Sequence, residues 1–118
     1  MATKTPTLVP TTSPHNLAVE WAGFAASGDV GTAVQYENLT DRTVQITGTF
    51  TGSPTIVIEG SNDGTNYETL TDPQGNALSF TAAGLEAISE NPKYIRPRAT
   101  AGTGGADVDV RLNMKGRR

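Results

Sequence analysis

The chain has 118 residues, a formal net charge of -3, 13 Gly, 7 Pro and no Cys. That length suits one hydrophobic core and is short for two domains of roughly 100–200 residues each. The missing cysteines exclude disulfides, thiolate nucleophiles and Cys-ligated zinc together. With no run of about 18 apolar residues and no basic, apolar leader, neither a membrane span nor a secretory signal is expected, and synthesis in cytoplasm follows. An aromatic content of 6% beside abundant Thr predicts a thin core of Val, Ile, Leu and Ala, in keeping with a small sheet protein.

Residues 1–16, MATKTPTLVPTTSPHN, carry Pro6, Pro10 and Pro14. Proline removes backbone donors and disfavours helix in the residue before it, so this segment reads as an extended arm. Leu8 and Val9 are its sizeable apolar side chains. A mobile terminus and an arm that orders on a partner both remain open. On the second reading Leu8 and Val9 are partner-binding anchors, ordered where they find a pocket or where the backbone extends a sheet edge.

From Leu17 a period of two takes over. Leu17, Val19 and Trp21 share one face; Val30, Thr32, Val34 and Tyr36 another; then Val44, Ile46 and Phe50, Ile56 and Ile58, Leu78 and Phe80. The clearest alternation is in ADVDVRLNM, which turns Val108, Val110, Leu112 and Met114 inward and Asp107, Asp109, Arg111 and Asn113 outward. Turn-forming clusters separate the runs, and only AAGLEAI, residues 82–88, has a helical period, of one or two turns. The expectation is a single all-β domain over 17–114, an antiparallel β-sandwich of jelly-roll or immunoglobulin type, with a basic tail at 115–118.

The polar stretch Ser61-Asn62-Asp63-Gly64-Thr65-Asn66 lies between two strand-like runs. Asn-Asp-Gly tolerates positive φ and closes a hairpin. A calcium loop would use Asn62, Asp63 and Asn66, but calcium takes six to eight oxygens and usually several carboxylates, so the turn is the preferred reading. Asp107 and Asp109, beside Arg111, read as a solvated sheet face.

No catalytic, metal or cofactor-binding set emerges. The single histidine, His15, lies in the arm, where nothing orients it as a base for a Ser nucleophile. GTGG at 102–105 lacks the Lys-Ser/Thr that a phosphate-binding loop requires. The expectation is a protein that is not an enzyme and needs no cofactor.

Charge is divided along the chain. Residues 1–92 carry two basic against ten acidic side chains, whereas residues 93–118 carry seven basic against two acidic. Arg96, Arg98, Lys115, Arg117 and Arg118, with Tyr94 for stacking, could contact nucleic acid, but overall acidity argues against that partner. The asymmetry fits either a basic patch for an acidic partner, with Arg117 and Arg118 as partner-binding residues, or a tail that neutralises neighbouring strands. A carbohydrate-binding module would need exposed aromatics, for which Trp21, Tyr36, Tyr67 and Tyr94 are the candidates.

Residues 58–118 resemble the C-terminal half of small structural proteins of tailed bacteriophages, among them capsid decoration (cement) proteins. The likeness is carried by a GSNDG hairpin with a following aromatic and Leu (Gly60 to Gly64, Tyr67, Leu70), then by L-x-F-T (Leu78 to Thr81). It continues through I-S-E-N-P-x-Y-I-R-P (Ile88 to Pro97) and a Gly-rich turn into V-x-V-x-L (Val108 to Leu112). It implies a virion structural protein, made in host cytoplasm and bound to the outside of the major capsid protein lattice. Self-association as a dimer or trimer, and no nucleic-acid or membrane partner, are expected with it. The alternative is a carbohydrate- or receptor-binding module, or another tail or head-completion component, of a phage particle. Burial of Trp21 and Tyr36 would favour the first, and their exposure in a groove the second.

Overall fold

The computed structural model describes residues 2–11, 15–36 and 39–116. Eleven strands form two sheets among these residues: β1 (Thr3–Lys4), β2 (Thr7–Val9), β3 (Asn16–Ala26), β4 (Val30–Gly31), β5 (Leu39–Thr49), β6 (Thr55–Ser61), β7 (Glu68–Thr69), β8 (Ser79–Phe80), β9 (Gly84–Ala87), β10 (Tyr94–Ala101) and β11 (Thr103–Gly116). The first sheet runs β1-β4-β10-β6-β7, with β8 also paired to β6; the second runs β2-β3-β11-β5-β9. The protein is a β-sandwich, as its alternating pattern predicts.

Alternation places the core. Val108, Val110, Leu112 and Met114 of β11 face Trp21 and Val19 of β3 and Val44 and Ile46 of β5, and the other sheet closes over them with Ile56, Ile58 and Ile95. Trp21 is 1% exposed, its indole N–H donating to the Thr32 carbonyl at 2.9 Å, so its one polar atom is satisfied inside the core. Tyr36 is half-buried against the same cluster. Gly48 sits in β5 at φ 122°, where any side chain would collide with the Asp107 carbonyl of β11, so glycine alone lets these two long strands stay adjacent.

Three readings need correction. Residues 84–87 form the strand β9 and not a helical turn: Gly84 lies against the Phe80 ring and opposite Ile46, and pairing with β5 over four residues supplies hydrogen bonds that one helical turn could not hold. The sandwich is not purely antiparallel, because β1 pairs β4 in parallel, Thr3 opposite Val30 and Lys4 opposite Gly31. The long run at Val30 to Tyr36 is strand only at Val30–Gly31, with a single further bridge from Val34 to Ile95.

Residues 2–9 are extended as read, but they lie within the sandwich. β1 borders the first sheet and β2 the second, Leu8 opposite Val19 and Val9 opposite Ala18. Asp29 explains why the segment docks: its carboxylate accepts from Ala25 and Ala26 in the turn and from Ala2 at 2.9 Å, while Val30 returns a bond to the Ala2 carbonyl. At the other end β11 continues through Lys115 and Gly116, Lys115 standing opposite Asn16 and Thr40.

Candidate functional site

The Ser61–Asn66 loop is a turn organised around one carboxylate. Asp63 Oδ1 accepts from the Ser61 hydroxyl and the Thr65 and Asn66 backbone N–H groups, each at 2.8 Å, and Oδ2 accepts from the Asn66 side-chain amide at 2.8 Å. Those bonds, led by the Asn66 and Thr65 amides, hold the carboxyl well below the usual carboxylate range. Both oxygens are engaged within the loop, Gly64 takes φ 78°, and Asn62 Oδ1 accepts from the Lys93 amide at 2.9 Å. Among the described residues no three His, Cys, Asp or Glu side chains converge to hold a metal ion.

A cleft of about 450 Å³ beside this loop is lined by Ser61, Asn62, Asn66, Glu68, Glu90 and Pro92, among others. Its Glu90 is tied, Oε1 to the Thr71 amide at 2.9 Å and Oε2 to the Thr71 hydroxyl at 2.6 Å. Burial works against that charge, but the bonds from the Thr71 hydroxyl and amide and from the Glu90 amide together outweigh it, and the pKa lies below normal. A second depression, of about 470 Å³, lies over β5, β9 and β11 between Arg42, Thr43, Ala87, Asn113 and Lys115. Arg42 is 4% exposed there, and its guanidinium donates to the carbonyls of Tyr36, Leu39 and Pro92 at 2.9, 3.1 and 3.2 Å. Burial lowers its pKa. The side chain joins three chain segments and points its donors at backbone.

Ionic chemistry is concentrated on the outer face of the first sheet. Alternation along β6 turns Ile56 and Ile58 into the core and Glu59 outward, yet Glu59 is 2% exposed. Arg96 and Arg98 cover it from β10, Arg96 Nε at 2.7 Å from Oε1 and Arg98 Nε at 3.1 Å from Oε2. The Arg96 guanidinium stacks on the Tyr67 ring at 3.7 Å, and Lys93 Nζ lies 5.7 Å from the Tyr94 ring centre. Arg96 and Arg98, two of the cationic residues considered for phosphate contact, are therefore engaged with one carboxylate, and both tyrosines on this face lie beside cations.

Of the partner-binding residues expected from sequence, Leu8 stands on edge strand β2 and is 66% exposed, and Val9 beside it is half-buried. Arg117 and Arg118 lie outside the described residues. The structure therefore brings Leu8 and Val9 to a sheet edge. Sequence reasoning missed three features. The Glu59–arginine cluster carried a signal: an acidic residue in one strand and two basic residues two apart in another. The second exposed leucine, Leu85, 62% exposed on β9, was hidden by the helical reading. Buried Arg42 gave no signal at all.

No family model matches the chain, and no curated protein matches it. Solved structures do resemble the fold. The SPBc2 prophage-derived protein YomS aligns with a TM-score of 0.61 at 15% identity, covering 89% of this chain and 98% of that one. A cupin 2 domain-containing protein from Halorhodospira halophila aligns with a TM-score of 0.51 at 9% identity, covering 96% and 64%. At such identities the likeness is one of fold.

Proposed function

We propose that this chain is a structural protein of a phage particle without catalytic activity, a capsid decoration (cement) protein. It binds the outside of the major capsid protein lattice and self-associates as a dimer or trimer. The observation that carries this reading is the end-to-end match with a prophage-derived sandwich, 98% of whose length is covered, together with the phage-like hairpin and closing strand of residues 58–118. Local geometry supports it. Trp21 lies in the core, Tyr36 packs against it, Tyr67 is covered by Arg96, and Lys93 lies over Tyr94, which leaves little of the open aromatic platform that a sugar-binding module presents. A body whose buried charges, among the described residues, are satisfied internally, with two apolar side chains exposed at sheet edges, suits attachment through edges and ends.

The test is to mix the purified protein with undecorated particles, sediment them, and image the pellet. Saturable co-sedimentation with new density on the outer head surface supports the assignment. Density confined to the tail would transfer the protein to the tail, and no binding at micromolar protein would overturn the virion role.

A further inference from the structure

Among the described residues the exposed large apolar side chains are Leu8 and Leu85. They stand on opposite edges of the same five-stranded sheet, β2 and β9. The edges are not equivalent. β2 is three residues long and bracketed by Pro6 and Pro10, which have no N–H to offer an incoming strand. β9, Gly84-Leu85-Glu86-Ala87, contains no proline.

The bond pattern shows what β9 offers. Ile88 donates its N–H to the Arg42 carbonyl at 2.9 Å, next to the register pairs Ala87–Thr43, Glu86–Val44, Leu85–Gln45 and Gly84–Ile46. In an antiparallel ladder every second residue exchanges bonds with its neighbour. Counting back from Ile88, Glu86 and Gly84 turn their N–H and C=O toward β5, and Leu85 and Ala87 turn theirs away from the sheet. The Leu85 side chain shares the outer face with Gln45, Arg111 and Glu20, while Glu86 shares the other face with Val44.

We propose that β9 is the self-association edge and that its occupant is β9 of a second copy, joined antiparallel about a two-fold axis at Leu85. This deepens the self-association in the reading above and fixes it as a dimer. Charge selects the register. Centring on Glu86 would set two glutamates opposite one another at the closer spacing of a non-bonded pair, a destabilising contact. Centring on Leu85 sets Glu86 opposite the partner's glycine, brings the two Leu85 side chains together, and lets the two Leu85 residues exchange both backbone bonds. Centring on Ala87, whose groups also face outward, would set Glu86, Leu85 and Gly84 opposite Ile88, Ser89 and Glu90 of the other copy, beyond β9. The Leu85 register is thus the one that pairs β9 with itself and keeps the glutamates apart, which makes a second copy the fitting occupant.

Cysteine scanning reads the register directly, because the chain has no other cysteine. Opposed residues of a bonded pair have Cα atoms about 5.5 Å apart, within disulfide range. Leu85→Cys should give a disulfide-linked dimer under mild oxidation, and Glu86→Cys should not. Leu85→Pro removes an N–H that β5 does not use, so the fold should survive, as judged by circular dichroism and Trp21 emission. Its dimer dissociation constant by sedimentation velocity should rise on the order of a hundredfold, from two lost bonds and the lost leucine contact. Leu85→Lys is the second variant, should proline disturb the strand, and should also dissociate the dimer. Cross-linking at Glu86→Cys in place of Leu85→Cys, or dimers of undiminished affinity in folded Leu85→Pro and Leu85→Lys, would overturn the edge assignment and leave self-association standing. A parent protein monomeric at all concentrations would overturn both. Sedimenting the same variants with undecorated particles separates these results from the virion role, since a monomeric variant that still binds particles leaves that role intact.

Discussion

Glu59 is the residue whose neutralisation should reveal most about the outer face of the first sheet. Its side chain is 3% exposed and lies 2.7 Å from Arg96 Nε and 3.1 Å from Arg98 Nε. A unit pair at about 4 Å, roughly the distance between charge centres in such contacts, is worth about 4 kcal/mol at an effective dielectric near 20. The arginine side chains are 28% and 41% exposed, however, and solvent reduces measured pair energies toward about 1 kcal/mol or less at open sites. Glu59→Gln keeps the shape and one acceptor but turns an amide N–H₂ toward the other guanidinium. A loss of about 1–3 kcal/mol is therefore expected, or a fall in Tm of roughly 4–12 °C for a domain this size. The same change should free both arginines, so the variant should elute from a heparin column at higher salt than the parent. Urea melts at low and high salt with parallel heparin elution make the assay. A parent-like melt with unchanged elution would mean that Glu59 does not restrain these arginines, and that this face is already a cationic surface.

Other expectations follow from the same contacts. Trp21 should be weakly quenched by acrylamide, because the core and the Thr32 bond enclose it; strong quenching would contradict the sandwich arrangement. Asp63 has a folded pKa depressed below the ordinary 3.8, so its stabilising bonds are fully present above that value and lost as pH falls toward the folded one. Acid titration of Asp63→Asn should accordingly show a shallower loss of stability below pH 3.8 than the parent, and EDTA should leave the Tm of both unchanged. Deleting residues 1–10 removes β1, β2 and the Ala2–Asp29 contact, so it should lower Tm by several degrees while a cooperative melt persists. Loss of cooperative unfolding on that deletion would show that the N-terminal strands belong to the folding core.

Most of the fold was legible because long strands advertise themselves. Val108 to Met114 alternate without exception, and each inward residue is at most 1% exposed. Short strands were illegible for a physical reason. β1, β4, β7 and β8 have two residues each, too few for a period of two to register, and they are strands because a longer neighbour supplies partners. At residues 84–87 the pattern was ambiguous, since Leu85 and Ile88 suit a helical turn as well as an edge strand, and only Gly84 beneath Phe80 together with the β5 pairing decides between them. Of the candidate site, Leu8 and Val9 were found through composition. The docking of their segment was not, because it depends on Asp29, which sequence offers only as a turn residue.

That docking bears on how the molecule can recognise anything. The strongly polar buried groups turn inward for their partners: Asp29 to three amides, Arg42 to three carbonyls, Glu59 to two arginines. Among the described residues no buried side-chain nitrogen or oxygen lacks a partner. A polar group already satisfied gains little from a ligand, because each new bond must first break one of comparable strength. Sheet edges differ, since their outward backbone groups exchange only water when a strand is added. The N-terminal segment has already used one edge of each sheet, and its prolines blunt β2 against further growth. In the five-stranded sheet this leaves β9, with Leu85 exposed and the Leu85 and Ala87 backbone groups turned outward, as the edge with most to gain from a partner.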